Sequence, residues 1–195
     1  LLNVWQGCVL LIRTDQQERI VRAIQEQFYV DSRKSAMSAM LLGVLTNGAG
    51  VQALVDAAYP FLKNPLVIFD SSYRIAGVTR KALQVQGSQL SDMLLENGGF
   101  SSGDYTFANR GALHSRVKKS NSPIVAFHEQ MQINQLLVSI SAEKDYGHIV
   151  VNEFDHTFTE LDSELLMVLR NYVYLQMKHD ELLHQNGKRP SEHFI

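Results

Sequence analysis

The sequence predicts an α+β fold in which an antiparallel sheet is flanked by helices. Short runs rich in β-branched and aromatic residues cluster at 64–79 and 123–154. Apolar residues at helical spacing precede the first of these regions and follow the last. Hydrophobic residues make up 45% of the 195 residues and charged residues 19%, which is enough apolar material for one sizeable core.

The N-terminal segment is predicted to be mostly helical. Residues 7–13 are a compact apolar run that predicts a buried strand. Asp15 then precedes an apolar stripe at helical spacing that ends at Phe28, and Asp31 or Ser32 can cap a second helix. We therefore expect two helices here, with a break between them.

Glycine and proline mark the ends of the next helices. Asn47-Gly48 is expected to end the second helix, because both residues tolerate the left-handed backbone that closes helices. Residues 50–64 predict a third helix, and Pro60 should kink or end it because proline cannot donate a helical hydrogen bond.

Residues 64–79, NPLVIFDSSYRIAGVT, have the pattern of a β-hairpin, with two apolar runs separated by the polar Asp70-Ser71-Ser72. Asp70 can hold the turn by accepting hydrogen bonds from backbone N–H groups that follow it. A catalytic cluster is the alternative, but the stretch contains no histidine or lysine to act as its partner. We therefore predict a structural turn.

The second half of the chain predicts a helix, a less regular region and then three strands. The helix is expected at 88–100, and short helices with loops at 101–122. A turn is expected at Asp145-Tyr146-Gly147, before the last strand. The three strands are expected at 123–129, 133–143 and 148–154.

Alternation along the second of these strands predicts two different faces. One face carries Leu137, Ser139 and Ser141, and the other carries Leu136, Val138, Ile140 and Ala142. Small hydroxyls on an apolar surface leave room for a ligand and can hydrogen-bond to it. We expect Ser139 and Ser141 to line a pocket; exposure of both serines to solvent is the alternative. Phe127 and Tyr105 would supply apolar wall, and Arg110 or His114 would meet an anionic group.

The longest helix is predicted at about 160–186 and opens on a capping box, with Thr159 as the cap and Asp162 reaching back. Its apolar residues alternate at spacings of four and three, as in a coiled coil. We expect this seam to pair with a second copy, so that the protein is a homodimer; packing of the seam against its own sheet is the alternative. The seam consists of Leu161, Leu165, Val168, Tyr172, Leu175 and Leu182, with His179 between the last two.

Composition and motifs argue against several classes of function. A net charge of −2 gives no electrostatic reason to expect nucleic-acid or membrane binding. The histidines form no HxH or HxxxH pair, and no nucleophile, phosphate-binding or CxxC motif is present, so we expect no metal, no cofactor and no enzymatic activity. A single cysteine, Cys8, fits a reducing compartment, and we expect a cytoplasmic protein.

The order of elements after residue 64 is hairpin, helical middle, three strands and a long helix. This order resembles that of GAF- or PAS-like sensors, which clamp a small molecule between the sheet and the helical middle. In such a sensor, occupancy by the ligand would move the terminal helix.

Residues 41–79, LLGVLTNGAGVQALVDAAYPFLKNPLVIFDSSYRIAGVT, resemble a segment of bacterial purine-catabolism-regulator-like (PucR-like) transcription factors. Residues 147–153, GHIVVNE, and the helix after them resemble the last sensor strand and exit helix of that family. The resemblance implies the sensor region of a helix-turn-helix regulator, in a chain that is a piece of a longer protein.

The resemblance also implies a division of the chain. Residues 1–62 would be the end of a preceding domain with connector and dimerisation helices, 63–178 a GAF-like sensor and 179–195 a linker. The partners would be an unidentified small-molecule effector and a second copy of the chain, with DNA bound only through a domain outside this sequence. The alternatives are an enzyme or small-molecule carrier on the same scaffold and a purely structural dimerisation module.

Overall fold

The computed structural model describes residues 16–80, 82, 113, 115–129 and 132–187. The α+β class, with an antiparallel sheet between long first and last helices, is confirmed. The predicted strand at 7–13 and the predicted helix at 88–100 lie outside the described residues. In chain order the elements are α1 (Gln17–Thr46), α2 (Gly50–Leu62), β1 (Leu66–Asp70), β2 (Ile75–Val78), β3 (Ile124–His128), β4 (Ile133–Ser141), β5 (Asp145–Asn152) and α3 (Glu160–Gly187).

The five strands form one antiparallel sheet in the order β2-β1-β5-β4-β3. The predicted hairpin at 64–79 is confirmed as β1 and β2, and the three later strands are confirmed as β3, β4 and β5. The predicted turn at residues 145–147 is wrong, because β5 already begins at Asp145 and the turn lies at 142–144. The strands next to each other in the chain pair as β1–β2, β3–β4 and β4–β5, whereas β2 and β3 lie at opposite edges and β5, paired with β1, is the central strand.

Residues 17–46 form one helix instead of the two predicted. Asp31 does not cap a second helix; it lies inside α1, where its carboxylate accepts a hydrogen bond from the Gln27 side chain at 3.1 Å. The reason is that the sequence has no glycine or proline between residues 17 and 42, so nothing interrupts the helical hydrogen bonds. The first half of α1 is mostly exposed, and its second half packs on the core.

The residues that close α1 and α2 include left-handed backbone, which was expected at Asn47-Gly48 and not at Lys63. Gly48 has φ 62°, which glycine adopts at no steric cost, and Lys63 closes α2 with φ 57°. Pro60 lies within the last turn of α2, two residues before its end. The chain thus reverses after each helix and enters the sheet through Asn64.

The three helices cover one face of the sheet, which we call the helix face. A continuous apolar core lies there between α1, α2, α3 and the strands. The opposite face, which we call the distal face, carries a second and smaller apolar cluster that includes Val67, Phe69, Leu137 and Val150. Among the described residues, no helix is long and apolar enough to cross a bilayer.

Candidate ligand-binding face

The alternation predicted along β4 is confirmed. Leu136, Val138 and Ile140 belong to the helix-face core, whereas Leu137 belongs to the distal cluster. Ser139 and Ser141 therefore lie on the distal face, where the Ser139 hydroxyl donates to the Ser141 hydroxyl at 3.1 Å. Ser139 is only 3% exposed. The alternative that both serines face solvent is therefore wrong.

Strand pairing places an aromatic group beside Ser139. Ser139 pairs with His148 on β5, and His148 pairs with Phe69 on β1, so all three share the distal face. The Phe69 and His148 rings stack with centroids 5.1 Å apart, and the Tyr73 ring meets His148 edge-on at 5.5 Å. Burial raises the pKa of the Tyr73 phenol. These side chains form a wall next to the buried hydroxyl.

A second polar group lies further along the same face. The Gln135 side-chain amide donates to the Asn152 side-chain oxygen at 2.8 Å, and both residues are buried. His128, also buried, lies on this face of the edge strand β3, because Ala126, two residues before it, pairs with Gln135. Leu137 and Val150 pair between the two polar groups. The distal face is thus an apolar surface with a few fixed polar side chains, which is the composition of small-molecule sites.

Of the predicted ligand residues that the structure describes, Ser139 and Ser141 come together. Phe127 lies on the other face of β3 and is 55% exposed, because its neighbours Ala126 and His128 occupy the distal face. It cannot form a wall with the two serines. Tyr105, Arg110 and His114 lie outside the described residues.

His148, Phe69 and Gln135 were not among the predicted ligand residues. Gln135 lies on β4, four positions before Ser139, so the alternation in that strand already places it on the same face. His148 and Phe69 lie on other strands, and their position on the distal face depends on which strands pair and in which register. The alternation in β4 shows only which of its own residues share a face with Ser139. Pairing across three strands is what adds His148 and Phe69 to the same surface.

The backbone of the two serines is held from the helix face. Arg170 of α3 donates from Nε to the Ser139 carbonyl at 3.1 Å and from Nη2 to the Ser141 carbonyl. The side chains of the same two serines point to the distal face. Arg170 therefore connects the last helix to the two residues of β4 that a distal ligand would contact.

The turn between β4 and β5 is tied to both sides of the sheet. Lys144 pairs with Glu181 of α3, and the Tyr146 hydroxyl donates to Glu181 at 2.8 Å. Burial and the bond to Glu181 raise the pKa of Tyr146 to about 12, and the bonds from Lys144 and Tyr146 lower the pKa of Glu181. On the other side, Asp145 pairs with Lys118 at 2.5 Å, within the helical residues 115–119.

The predicted dimerisation residues divide into two groups along α3. Leu165 is 1% exposed and belongs to the core of its own chain, and Leu161, Val168 and Tyr172 pack partly against that core. Leu165 is therefore not available to a second chain, because α1 and α2 cover the first half of α3. Leu175 and Leu182 are 47% and 50% exposed and can be reached from outside.

Comparison with known proteins gives no match in sequence and a likeness in fold. No protein-family model matches the chain, and no curated protein matches it. The cofactor-binding GAF domain of the nutrient sensor CodY from Clostridium difficile is 12% identical, with a TM-score of 0.46 over 65% of this chain and 83% of that one. The GAF domain of a phosphoenolpyruvate-protein phosphotransferase from Acinetobacter is 14% identical, with a TM-score of 0.39 over 74% and 94%.

Proposed function

We propose that the chain is the sensor region of a bacterial transcriptional regulator of the PucR-like kind. It binds a small-molecule effector on the distal face and passes the signal through α3 to a DNA-binding domain outside this sequence. The role is one of binding, without catalysis. The observation that carries the proposal is the set of buried polar side chains on the distal face.

A purely structural sheet does not need buried polar side chains on its second face. The helix face already supplies a continuous apolar core. On the distal face, Gln135, Ser139, Asn152 and His128 are all buried among apolar residues. Gln135 bonds Asn152 and Ser139 bonds Ser141, so these groups are satisfied. Such bonds mainly offset the loss of water, and apolar residues of similar size could be about as stable. Recognition of a ligand is a reason to keep them.

The contacts of α3 supply the route for the signal. A ligand that hydrogen-bonds to Ser139 or Ser141 acts on the strand whose carbonyls Arg170 holds. The turn that pairs with Glu181 contacts α3 a second time, about three turns further along the helix. A ligand that favours one position of β4 and this turn would therefore favour one position of α3.

The end of α3 is suited to connect two copies of the sensor. Leu175 and Leu182 are seven residues apart and exposed, so they lie on the same side of the helix. Pairing of this segment in a homodimer would turn a shift of α3 into a change in the spacing of two DNA-binding domains. Operator recognition depends on that spacing.

Identification of a retained ligand tests the sensor proposal directly. The purified protein is denatured, released small molecules are identified by mass spectrometry, and binding of the identified compound is measured by calorimetry. Ser139→Leu, which fills the distal face, is expected to reduce affinity at least about tenfold. Ser35→Leu, the same change at an exposed position of α1, should leave affinity unchanged.

Three outcomes distinguish this function from the alternatives. Absence of any retained compound, together with no binding across a metabolite library, would contradict a sensor and favour a structural dimerisation module. Chemical conversion of the bound compound during incubation would favour an enzyme. Equal loss of affinity in Ser139→Leu and Ser35→Leu would contradict the assignment of the distal face.

A further inference from the structure

The first half of α1 is helical, although almost nothing in the described part of the protein covers it. From residue 16 to residue 29, every residue except Ile20 is exposed. An isolated helix shorter than about 12–15 residues is marginal in water, so such a segment depends on packing of an apolar face. Phe28, Val21 and Ile24 are 72%, 43% and 41% exposed and belong to neither of the two apolar clusters. An apolar surface of this segment is therefore left without cover among the described residues.

These apolar residues lie on the side of α1 that faces away from the core. Met37 and Leu41 mark the core side of the helix, because both are fully buried. Ala23 and Gln27, about four turns earlier, lie on that same side and are exposed. The opposite side carries residues spaced alternately three and four apart, as in the seam of a coiled coil. We call this seam the outer face of α1, and it consists of Val21, Ile24, Phe28, Asp31, Ser35, Ser38 and Leu42.

The outer face of α1 carries almost no charge along its whole length. It runs for roughly 30 Å, and Asp31 is its only charged residue. Arg19, Arg22 and Glu26 lie on other sides of the same turns. A helix face in contact with water normally carries charged residues, whereas the core of an interface is depleted of them. Asp31 accepts a hydrogen bond from the Gln27 side chain at 3.1 Å, and a single polar position within a seam fixes its register at some cost in stability.

The outer face of α1 adjoins the exposed leucines of α3. Lys34, next to Ser35, bonds Glu164 of α3 at 2.6 Å, so α3 flanks this face. Leu175 and Leu182 follow Glu164 by about three and five turns, and therefore lie on the same side of α3 as Glu164. The two leucines are 47% and 50% exposed. One partner surface can therefore cover both helices.

We infer that the outer face of α1 packs in parallel on the outer face of a second copy and supplies the larger part of the contact between them. This inference rests on the homodimer of the proposed function. A stable dimer buries roughly 800 Å² on each partner, and the two half-exposed leucines of α3 supply only a fraction of that area. An identical copy suits the face, because a nearly uncharged seam brings no like charges together except at Asp31. The pair is parallel because one two-fold axis must also bring the two copies of Leu182 together.

Charges placed on the outer face test this contact. Ile24→Asp with Phe28→Asp is expected to raise the dimer dissociation constant at least about a hundredfold, because the added carboxylates of the two copies would face each other. Ala23→Asp with Gln27→Asp makes the same change on the core side of the same turns and should leave the constant unchanged. Analytical ultracentrifugation measures the dissociation constants, and circular dichroism checks that both double variants stay folded.

A disulfide identifies a second copy as the occupant of the face. In a Cys8→Ser background, Ser35→Cys places a thiol beside its counterpart in the parallel pair, so mild oxidation is expected to give a covalent dimer. Ala36→Cys, at the next position round the helix and also exposed, should stay uncrosslinked. Ser35→Leu, the control for effector binding, adds apolar surface to the face and should remain dimeric.

The outcomes separate this inference from the proposed function. A dissociation constant that Ile24→Asp with Phe28→Asp leaves unchanged, an equal rise in the core-side variant, or no cross-link in Ser35→Cys would overturn the inference and assign the face to another partner. If only charges at Leu175 and Leu182 separate the copies, the homodimer stands without the α1 contact. A monomeric wild type would overturn both dimer claims, whereas effector affinity, measured by calorimetry, tests the sensor independently.

Discussion

Single residues at the tight turns of this fold have roles that their hydrogen bonds define. Asp70 Oδ1 accepts the backbone N–H of Ser72 at 2.8 Å and of Arg74 at 2.9 Å, and Oδ2 pairs with the Arg74 side chain. Tyr73 between them has φ 61°, a conformation that a tyrosine keeps only when its neighbours are held. The predicted structural role of Asp70 agrees with these contacts.

Replacement of Asp70 by alanine is expected to lower the free energy of unfolding by about 1–2 kcal/mol, because two backbone donors lose their acceptor. Urea denaturation measures the change. Asp70→Asn keeps the Oδ1 acceptor and is expected to lose less. Effector affinity should stay nearly unchanged in both; a collapse of affinity with an unchanged melting temperature would make Asp70 a ligand contact.

Two glycines provide opposite predictions for the same substitution. Gly147 has φ 134°, and a Cβ there would lie 1.9 Å from the Phe69 carbonyl oxygen. Gly147→Ala is therefore expected to destabilise the protein by several kcal/mol. Gly43 lies inside α1, where an added Cβ would meet no atom within 4 Å apart from its chain neighbours and the backbone of its own helical turns, so Gly43→Ala should stabilise by about 0.5–1 kcal/mol. Thermal unfolding of both variants checks the pair, and a similar loss in each would contradict it.

At the scale of elements, the turn between β4 and β5 connects α3 to the sheet. Glu181 accepts from both Lys144 and Tyr146, and these bonds lower its pKa in the folded state. A lowered carboxyl pKa means that the contribution of Glu181 to stability is present at neutral pH. It is lost as the pH falls from the ordinary glutamate pKa of about 4.3 through the folded-state value.

Glu181→Gln is therefore expected to be less stable than the wild type at pH 7, and the difference should shrink as the pH is lowered below about 4.3. Glu129→Gln, at an exposed position after β3, should show no such pH-dependent difference. Chemical denaturation of the three proteins at several pH values makes the comparison. A gap between Glu181→Gln and the wild type that persists or widens in acid would contradict the role of the ion pair.

At the scale of the whole molecule, α1 and α3 both extend beyond the core. Phe28 is 72% exposed in the first half of α1, and Leu175 and Leu182 are exposed in the second half of α3. The salt bridge between Lys34 and Glu164 joins the two helices at 2.6 Å, with Phe28 before it on α1 and Leu175 after it on α3. Leu175 faces away from the core, since Val173 and Gln176 beside it are buried, and Leu182 lies beyond Met177, which still packs on the core.

We expect the wild type to be a homodimer and the double variant Leu175→Asp with Leu182→Asp to be a monomer, because charges on the seam oppose its pairing. Light scattering measures both. Val125→Asp, at an equally exposed apolar position on the edge strand β3, is the control and should remain dimeric. A wild type that stays monomeric at high micromolar concentration would end the dimer prediction.

The sequence by itself determined the features that depend on neighbours along the chain. Alternation in β4 separated Ser139 from Val138, and the hairpin around Asp70 and the start of the last helix at Thr159 followed from local pattern. Such periodicities come from backbone geometry, which is the same in every fold. For the same reason, the sequence correctly predicted the five strands that the structure describes without predicting which of them lie side by side.

Tertiary structure decided everything that depends on pairing between distant residues. Register brought His148 opposite Ser139, and the position of β3 at the edge of the sheet left Phe127 exposed. Packing of α1 and α2 buries Leu165, which the apolar spacing of α3 had assigned to a dimer interface. The same spacing of apolar residues fits a helix that packs on its own core and a helix that packs on a second chain, so the sequence could not tell the two apart. Local periodicity predicts that a face is apolar, and only the assembled molecule decides what covers that face.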